Sequence, residues 1–172
     1  MRILGNEMVV RSVFAIAAFI ALALCGVMIC NGQAKKQFDG AESMSPKISM
    51  TSPMLAALRR APDFSECYEL NKDRTAATKV DANGDGRPEV LVWIGCGNSS
   101  TTNLFWLLAR DKFGFKPIFN VGTQTIYFQR KRHSGFRNIL AFGCTANACF
   151  YKYFSFNGRR YARTRNVERE VR

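Results

Sequence analysis

Asp81-Ala82-Asn83-Gly84-Asp85-Gly86-Arg87-Pro88-Glu89 runs directly into Val90-Leu91-Val92-Trp93-Ile94. The second half is an unbroken apolar run rich in β-branched and aromatic residues. Such a run, bounded by turn residues, reads as a strand buried on both faces. The first half is a loop. Gly84 and Gly86 permit left-handed backbone there, and Pro88 keeps Arg87 extended. Thr75 to Val80 lies just upstream and reads as a second strand, so the loop joins two strands and the fold is β.

The same reading extends down the chain. Asn103 to Arg110 is an apolar strand, and Asp111-Lys112-Phe113-Gly114 turns it into Phe115 to Val121. Thr125 to Arg130 and Phe136 to Phe142 flank a basic turn at His133-Ser134-Gly135. Cys149 to Phe156 meets Arg159 to Arg163 across Asn157-Gly158, a dipeptide suited to a type I′ hairpin turn. Upstream, Ser52 suits a helix cap and Pro53 a first helical position, giving a short helix over 54–60 that Pro62 brings to an end. Strands recurring about every ten residues predict a mainly β fold, an antiparallel sheet or small sandwich with one short N-terminal helix.

Residues 1–34 read as a signal peptide. Arg2 and Arg11 give a basic start, Ser12 to Cys30 is almost wholly apolar, and Gly32-Gln33-Ala34 offers small residues for cleavage. The apolar run is long for a leader, so an uncleaved N-terminal membrane anchor is the alternative. Both readings place the rest of the chain outside the cytoplasm: periplasmic, secreted, or anchored and facing outward. Residues 35–52 are polar and aperiodic and read as a flexible tether. Residues 53–172 then form one β-rich domain.

Four cysteines remain beyond the leader. An even number in an exported chain predicts two disulfides. The pairing Cys144–Cys149 clips a short turn. Cys67–Cys96 closes a loop of about 30 residues, worth about 3–4 kcal/mol in the chain-entropy model. Zinc is disfavoured, because no paired C-x-x-C is present and His133 is the one histidine.

Charge is distributed unevenly. Residues 35–172 hold 23 basic and 12 acidic residues, a net +11. Residues 35–109 balance at nine of each, whereas residues 110–172 hold 14 basic and 3 acidic. Arg130, Lys131, Arg132, Arg159 and Arg160 are the candidate anion-binding residues. A one-sided basic field attracts polyanions. Outside the cytoplasm these are an anionic polysaccharide or a membrane surface sooner than nucleic acid. Tyr127-Phe128-Gln129-Arg130 and Phe150-Tyr151-Lys152-Tyr153 interleave rings with charges, as a single-strand nucleic-acid platform does. A half-buried strand with rings inward and charges outward has the same pattern.

Asp81, Asn83, Asp85 and Glu89, with the backbone carbonyl of Arg87, supply the oxygen ligands that Ca²⁺ prefers. The spacing matches an EF-hand loop up to its ninth place, but Val92 stands where the bidentate Glu would be. Three carboxylates in one loop repel each other without a cation. The loop and its exit strand resemble the Ca²⁺ loop of FG-GAP/VCBS (integrin-type) β-propeller repeats, and more closely the small exported bacterial β-rich proteins that carry a single such loop. Gly95-Cys96-Gly97, Ser134 to Leu140 and Tyr153 to Tyr161 fall in the order of that group. The resemblance implies a compact β fold and bound Ca²⁺. A whole propeller is excluded by chain length and by the missing repeat.

Catalytic candidates are few. His133 sits in a basic turn, Ser134 lacks a nucleophile-elbow context, and Glu66, Glu69 and Asp73 follow no glycosidase spacing. The sequence therefore favours an exported non-enzymatic protein with a structural Ca²⁺ loop and a basic surface for an anionic envelope or extracellular partner. The alternatives are a secreted hydrolase acting on a polyanion and a protein-interaction or inhibitor domain.

Overall fold

A computed structural model describes residues 36–61, 64, 67, 72–96 and 103–171. The leader region, Glu66, Glu69 and residues 97–100 lie outside the described residues.

Among the described residues, ten strands make two antiparallel five-stranded sheets. One sheet is a sequential meander of β2 (Lys47–Ile48), β3 (Thr75–Val80), β4 (Glu89–Gly95), β5 (Asn103–Asp111) and β6 (Gly114–Thr123). The other is the meander β7 (Thr125–His133), β8 (Phe136–Cys144), β9 (Ala148–Phe156) and β10 (Tyr161–Glu170). Its edge is completed by β1 (Lys36–Phe38) beside β7. The mainly β architecture expected from the sequence is the one observed, consistent with a small sandwich.

Alternation along the central strands sorts side chains into two cores. Leu91 and Trp93 of β4, with Phe105 and Leu107 of β5, pack with Ile126, Phe128, Ile139 and Phe154 of the second sheet. Val90, Val92 and Ile94, with Trp106 and Leu108, point the other way and pack under Met54, Leu58 and Phe64. Every residue of β4 is buried, which explains its unbroken apolar run. Helix α1 (Ser52–Leu58) covers this outer face. It starts one residue earlier than the Ser52 cap reading: Thr51 is the N-cap, its carbonyl accepting from Leu55 N–H at 3.0 Å.

The segment read as a tether contributes structure. Lys36–Phe38 and Lys47–Ile48 are strands, and Phe38 and Met44 are fully buried. Strands this short are below what periodicity can show. The last strand of the first meander, β6, passes into β7 of the second sheet through one residue, Gln124, between Thr123 and Thr125. Its side-chain amide acts as a stand-in peptide group: Nε2 donates to the Cys144 carbonyl at 2.8 Å, and Oε1 accepts from Cys144 N–H at 2.8 Å.

The cysteines stand in the two expected pairs at disulfide distance, Cys67 with Cys96 (Cα–Cα 5.7 Å) and Cys144 with Cys149 (4.0 Å). The hairpin turns differ from the sequence reading. The left-handed pair is Ser134-Gly135, with φ 47° and 85°. At Asn157-Gly158 only the glycine has positive φ. Asn157 instead caps the turn, its Oδ1 accepting from Arg159 and Arg160 N–H at 3.0 and 2.9 Å.

Candidate functional site

The acidic loop between β3 and β4 is folded onto its own backbone. Asp81 accepts from Gly84 N–H and Gly86 N–H, at 2.5 and 3.3 Å. Asn83 Oδ1 accepts from Asp85 N–H at 3.0 Å, and Asp85 Oδ1 from Arg87 N–H at 2.7 Å. These two-residue-spaced turns keep Asp81, Asn83 and Asp85 close, and each oxygen still has a lone pair to offer. Glu89, at 5% exposure, donates no charge to solvent; its Oε2 accepts from Ala82 N–H at 2.8 Å. Burial pushes its carboxyl above the usual carboxylate range. The Ala82 bond opposes this, and nearby Asp85 and Asp81 add a smaller upward push. The donor set of carboxylates, an amide and the Arg87 carbonyl fits a hard divalent cation. Among the described residues, no three Asp, Glu, His or Cys side chains converge as a metal cage.

The loop is clasped by the β7–β8 hairpin. Arg132 Nη1 donates to the carbonyls of Asn83 and Gly135, and Arg137 N–H donates to the Ala82 carbonyl at 2.8 Å. The guanidinium lies against Gly84, where a Cβ would meet Nη2 at 2.5 Å; φ there is +72°. Glycine at position 84 suits the left-handed backbone, and it lets the Arg132 side chain lie against the loop without moving aside. The Arg132 guanidinium brings a positive charge beside the loop carboxylates through its bond to the Asn83 carbonyl. Tyr161 closes the underside, its Oη donating to the Arg137 carbonyl at 2.8 Å. Burial, with the Glu89 carboxylate adding to it, pushes its phenol upward.

Of the five candidate anion-binding residues, Arg132 is therefore engaged with the loop. Arg130 and Lys131 are exposed beside it, and Arg159 and Arg160 are exposed in the β9–β10 turn. The antiparallel register puts both turns at the same end of the second sheet, where Phe136 and Phe156 stack at 4.2 Å. A cleft of about 840 Å³ runs along the loop. Lys79, Arg87, Arg110 and Lys112 line it together with Asp85, Glu89 and Asp111, and Phe115 and Phe136 are apolar lining. Its lining contains no Ser, Thr, Cys or His, so neither His133 nor Ser134 belongs to it.

The aromatics of the second sheet divide between its faces. Phe128, Phe154 and Phe156 point into the core. Tyr127, Leu140 and Tyr153 occupy the opposite face, in register with Arg165, and Phe142 and Tyr151 do so in register with Val167. The reading of rings inward and charges outward thus holds for Phe128 and fails for Tyr127, Tyr151 and Tyr153. Sequence reasoning missed Tyr151, Tyr153, Arg165 and Arg169 as one surface, because the last strand runs to Glu170, well beyond the Arg163 expected. The alternation Arg165-Asn166-Val167-Glu168-Arg169-Glu170 was the available signal.

No family model, curated protein or solved structure matches this chain.

Proposed function

We propose that this is an exported, non-enzymatic binding protein for an anionic partner at the envelope or outside the cell, with Ca²⁺ held as a structural ion. The observation that carries it is the segregation of charge. The net +11 of residues 35–172 arises in residues 110–172, which build β6 and the whole second sheet apart from β1. Two cysteine pairs at bonding distance support an oxidising compartment. Asp81, Asn83, Asp85, Glu89 and the Arg87 carbonyl hold the ion within the β3–β4 loop, and the Arg132 and Arg137 hydrogen bonds tie that loop to the hairpin bearing Arg130, Lys131 and Arg132.

Such a protein is retained on a heparin column and elutes with a steep dependence on salt, as ion-pair formation with a polyanion releases counterions. Elution no later than a neutral protein of the same size would sink the reading.

A further inference from the structure

We propose that the outer face of the β7–β10 sheet is the binding surface, and that it takes an acidic polysaccharide, a chain of sugar rings bearing carboxylates or sulfates. This rests on the reading of the protein as a polyanion binder and names the place and the ligand class.

The face is apolar and cationic, and acid is kept to its β1 margin, where Asp39 accepts from Gln37 Nε2 at 3.2 Å and Gln37 pairs with Tyr127. Tyr127, Leu140, Phe142, Tyr151 and Tyr153 lie on it half-buried and belong to neither core cluster. Arg165 sits 5.7 Å over the Tyr153 ring, and Arg169 sits 5.6 Å over the Tyr151 ring. Phe142 packs against Tyr151 at 5.0 Å and 45°. The five strands of this sheet contain only two carboxylates, Glu168 and Glu170. Both have the opposite parity to Arg165 and Arg169, since Glu168 pairs with Phe150 while Val167 pairs with Tyr151. Beyond the irregularity between Arg163 and Arg165, the last strand thus puts Arg165 and Arg169 on the aromatic face and Glu168 and Glu170 away from it. The outer face of the other sheet, by contrast, is sealed by α1.

A guanidinium held over a ring is pre-positioned, and its edge keeps the N–H fork that grips a carboxylate or sulfate at two points. Arg165 and Arg169 are four residues apart, about 13 Å along the strand. The face spans four strands, about 14 Å. That accommodates a short run of sugar rings packed on Leu140 and the free edges of the rings around it, with their charged groups on the two arginines. A single-stranded nucleic acid fits less well, because its bases need open ring faces, and here guanidiniums and Phe142 cover them. A second copy of this chain would bring four arginines onto one apolar face, with carboxylate only at the β1 margin. A membrane is less well matched, as Tyr127, Leu140, Phe142, Tyr151 and Tyr153 are all half-buried and offer no fully exposed apolar side chain to insert.

The test measures affinity of the protein, as its host exports it, for polygalacturonate in about 0.1 M salt, where the Debye length is about 10 Å. Arg165→Ala/Arg169→Ala should weaken binding at least about tenfold, as loss of central anchors does. Arg159→Ala/Arg160→Ala, with the same change in net charge, should weaken it less than about threefold, as rim charges do. Arg165→Lys/Arg169→Lys keeps the charge and removes the fork, so it should also weaken binding, and it serves if the alanine pair fails to fold. Equal losses in both alanine pairs would overturn the assigned face while leaving the polyanion reading intact. Failure of the wild type to bind polygalacturonate or heparin would remove that reading itself. Tighter binding to single-stranded DNA, or to phosphatidylglycerol vesicles, would overturn the ligand class.

Discussion

Glu89 is where burial, charge and the proposed ion meet in one side chain. Its carboxyl is buried, takes one backbone N–H, and stands near Asp81 and Asp85. A carboxyl raised by folding binds its proton more tightly in the folded state. Without a metal, its contribution to stability is therefore fullest below its ordinary value of 4.5 and declines as pH rises through the folded value. Glu89→Gln keeps the acceptor for Ala82 and discards the charge. In chelator, the variant should match or exceed the wild type near neutral pH, and the gap between them should close as pH falls toward 4.5. Excess Ca²⁺ should reverse the order. At 100 times its dissociation constant the ion adds about 2.7 kcal/mol, a melting shift on the order of 5–10 °C for a domain of this size. The wild type should gain that shift and the variant should lose most of it. Identical melts of the wild type in Ca²⁺ and in chelator would remove the metal from the account, leaving Arg132 as the partner of the loop.

At the scale of elements, the corner at Gln124 decides how two meanders become one fold. The chain leaves the first sheet at Thr123 and enters the second at Thr125, and the Gln124 amide makes both bonds to Cys144 that a neighbouring strand residue would make. Gln124→Ala leaves a partly buried N–H and carbonyl without partners, at about 1–3 kcal/mol. Thermal melting should fall on the order of 5 °C, while retention on a polyanion column stays unchanged, since Gln124 lies at the edge of neither charged turn. A melt within about 1 °C of the wild type would mean the corner is held by its strands alone. Nothing in a lone Gln between two Thr announces this role, because it depends on Cys144, twenty residues away. The long strands were legible for the opposite reason. The run from Val90 to Ile94 is apolar because both of its faces are covered, and local pattern records that burial directly. The acidic loop was legible too, through the two-residue spacing of its oxygens. The clasp by Arg132, the β1 edge and the aromatic face are tertiary facts, and register across distant strands created them.

At the scale of the whole molecule, the layers separate charge as well as sequence. The cationic face of the second sheet lies outermost on one side, and α1 with Arg59 and Arg60 lies outermost on the other. Packed layers are about 10 Å apart, so these two surfaces stand about 20 Å or more apart. At 0.1 M salt that is about two Debye lengths, and at 0.01 M it is less than one. Net charge and local charge then make different predictions for Arg59→Ala/Arg60→Ala, both exposed at the end of the helix. If the whole field of the protein holds the partner, this pair should weaken binding as much as Arg165→Ala/Arg169→Ala at any salt. If the face holds it, binding of an acidic polysaccharide at 0.1 M salt should stay within about twofold of the wild type, because screening hides charges two Debye lengths away. Lowering the salt to 0.01 M should then reveal a loss in the association rate, since long-range steering returns as screening fades. Binding measured at both salts, with dissociation rates that match the wild type throughout, is the outcome that fits a partner seated on the sheet and merely guided there by the rest of the molecule.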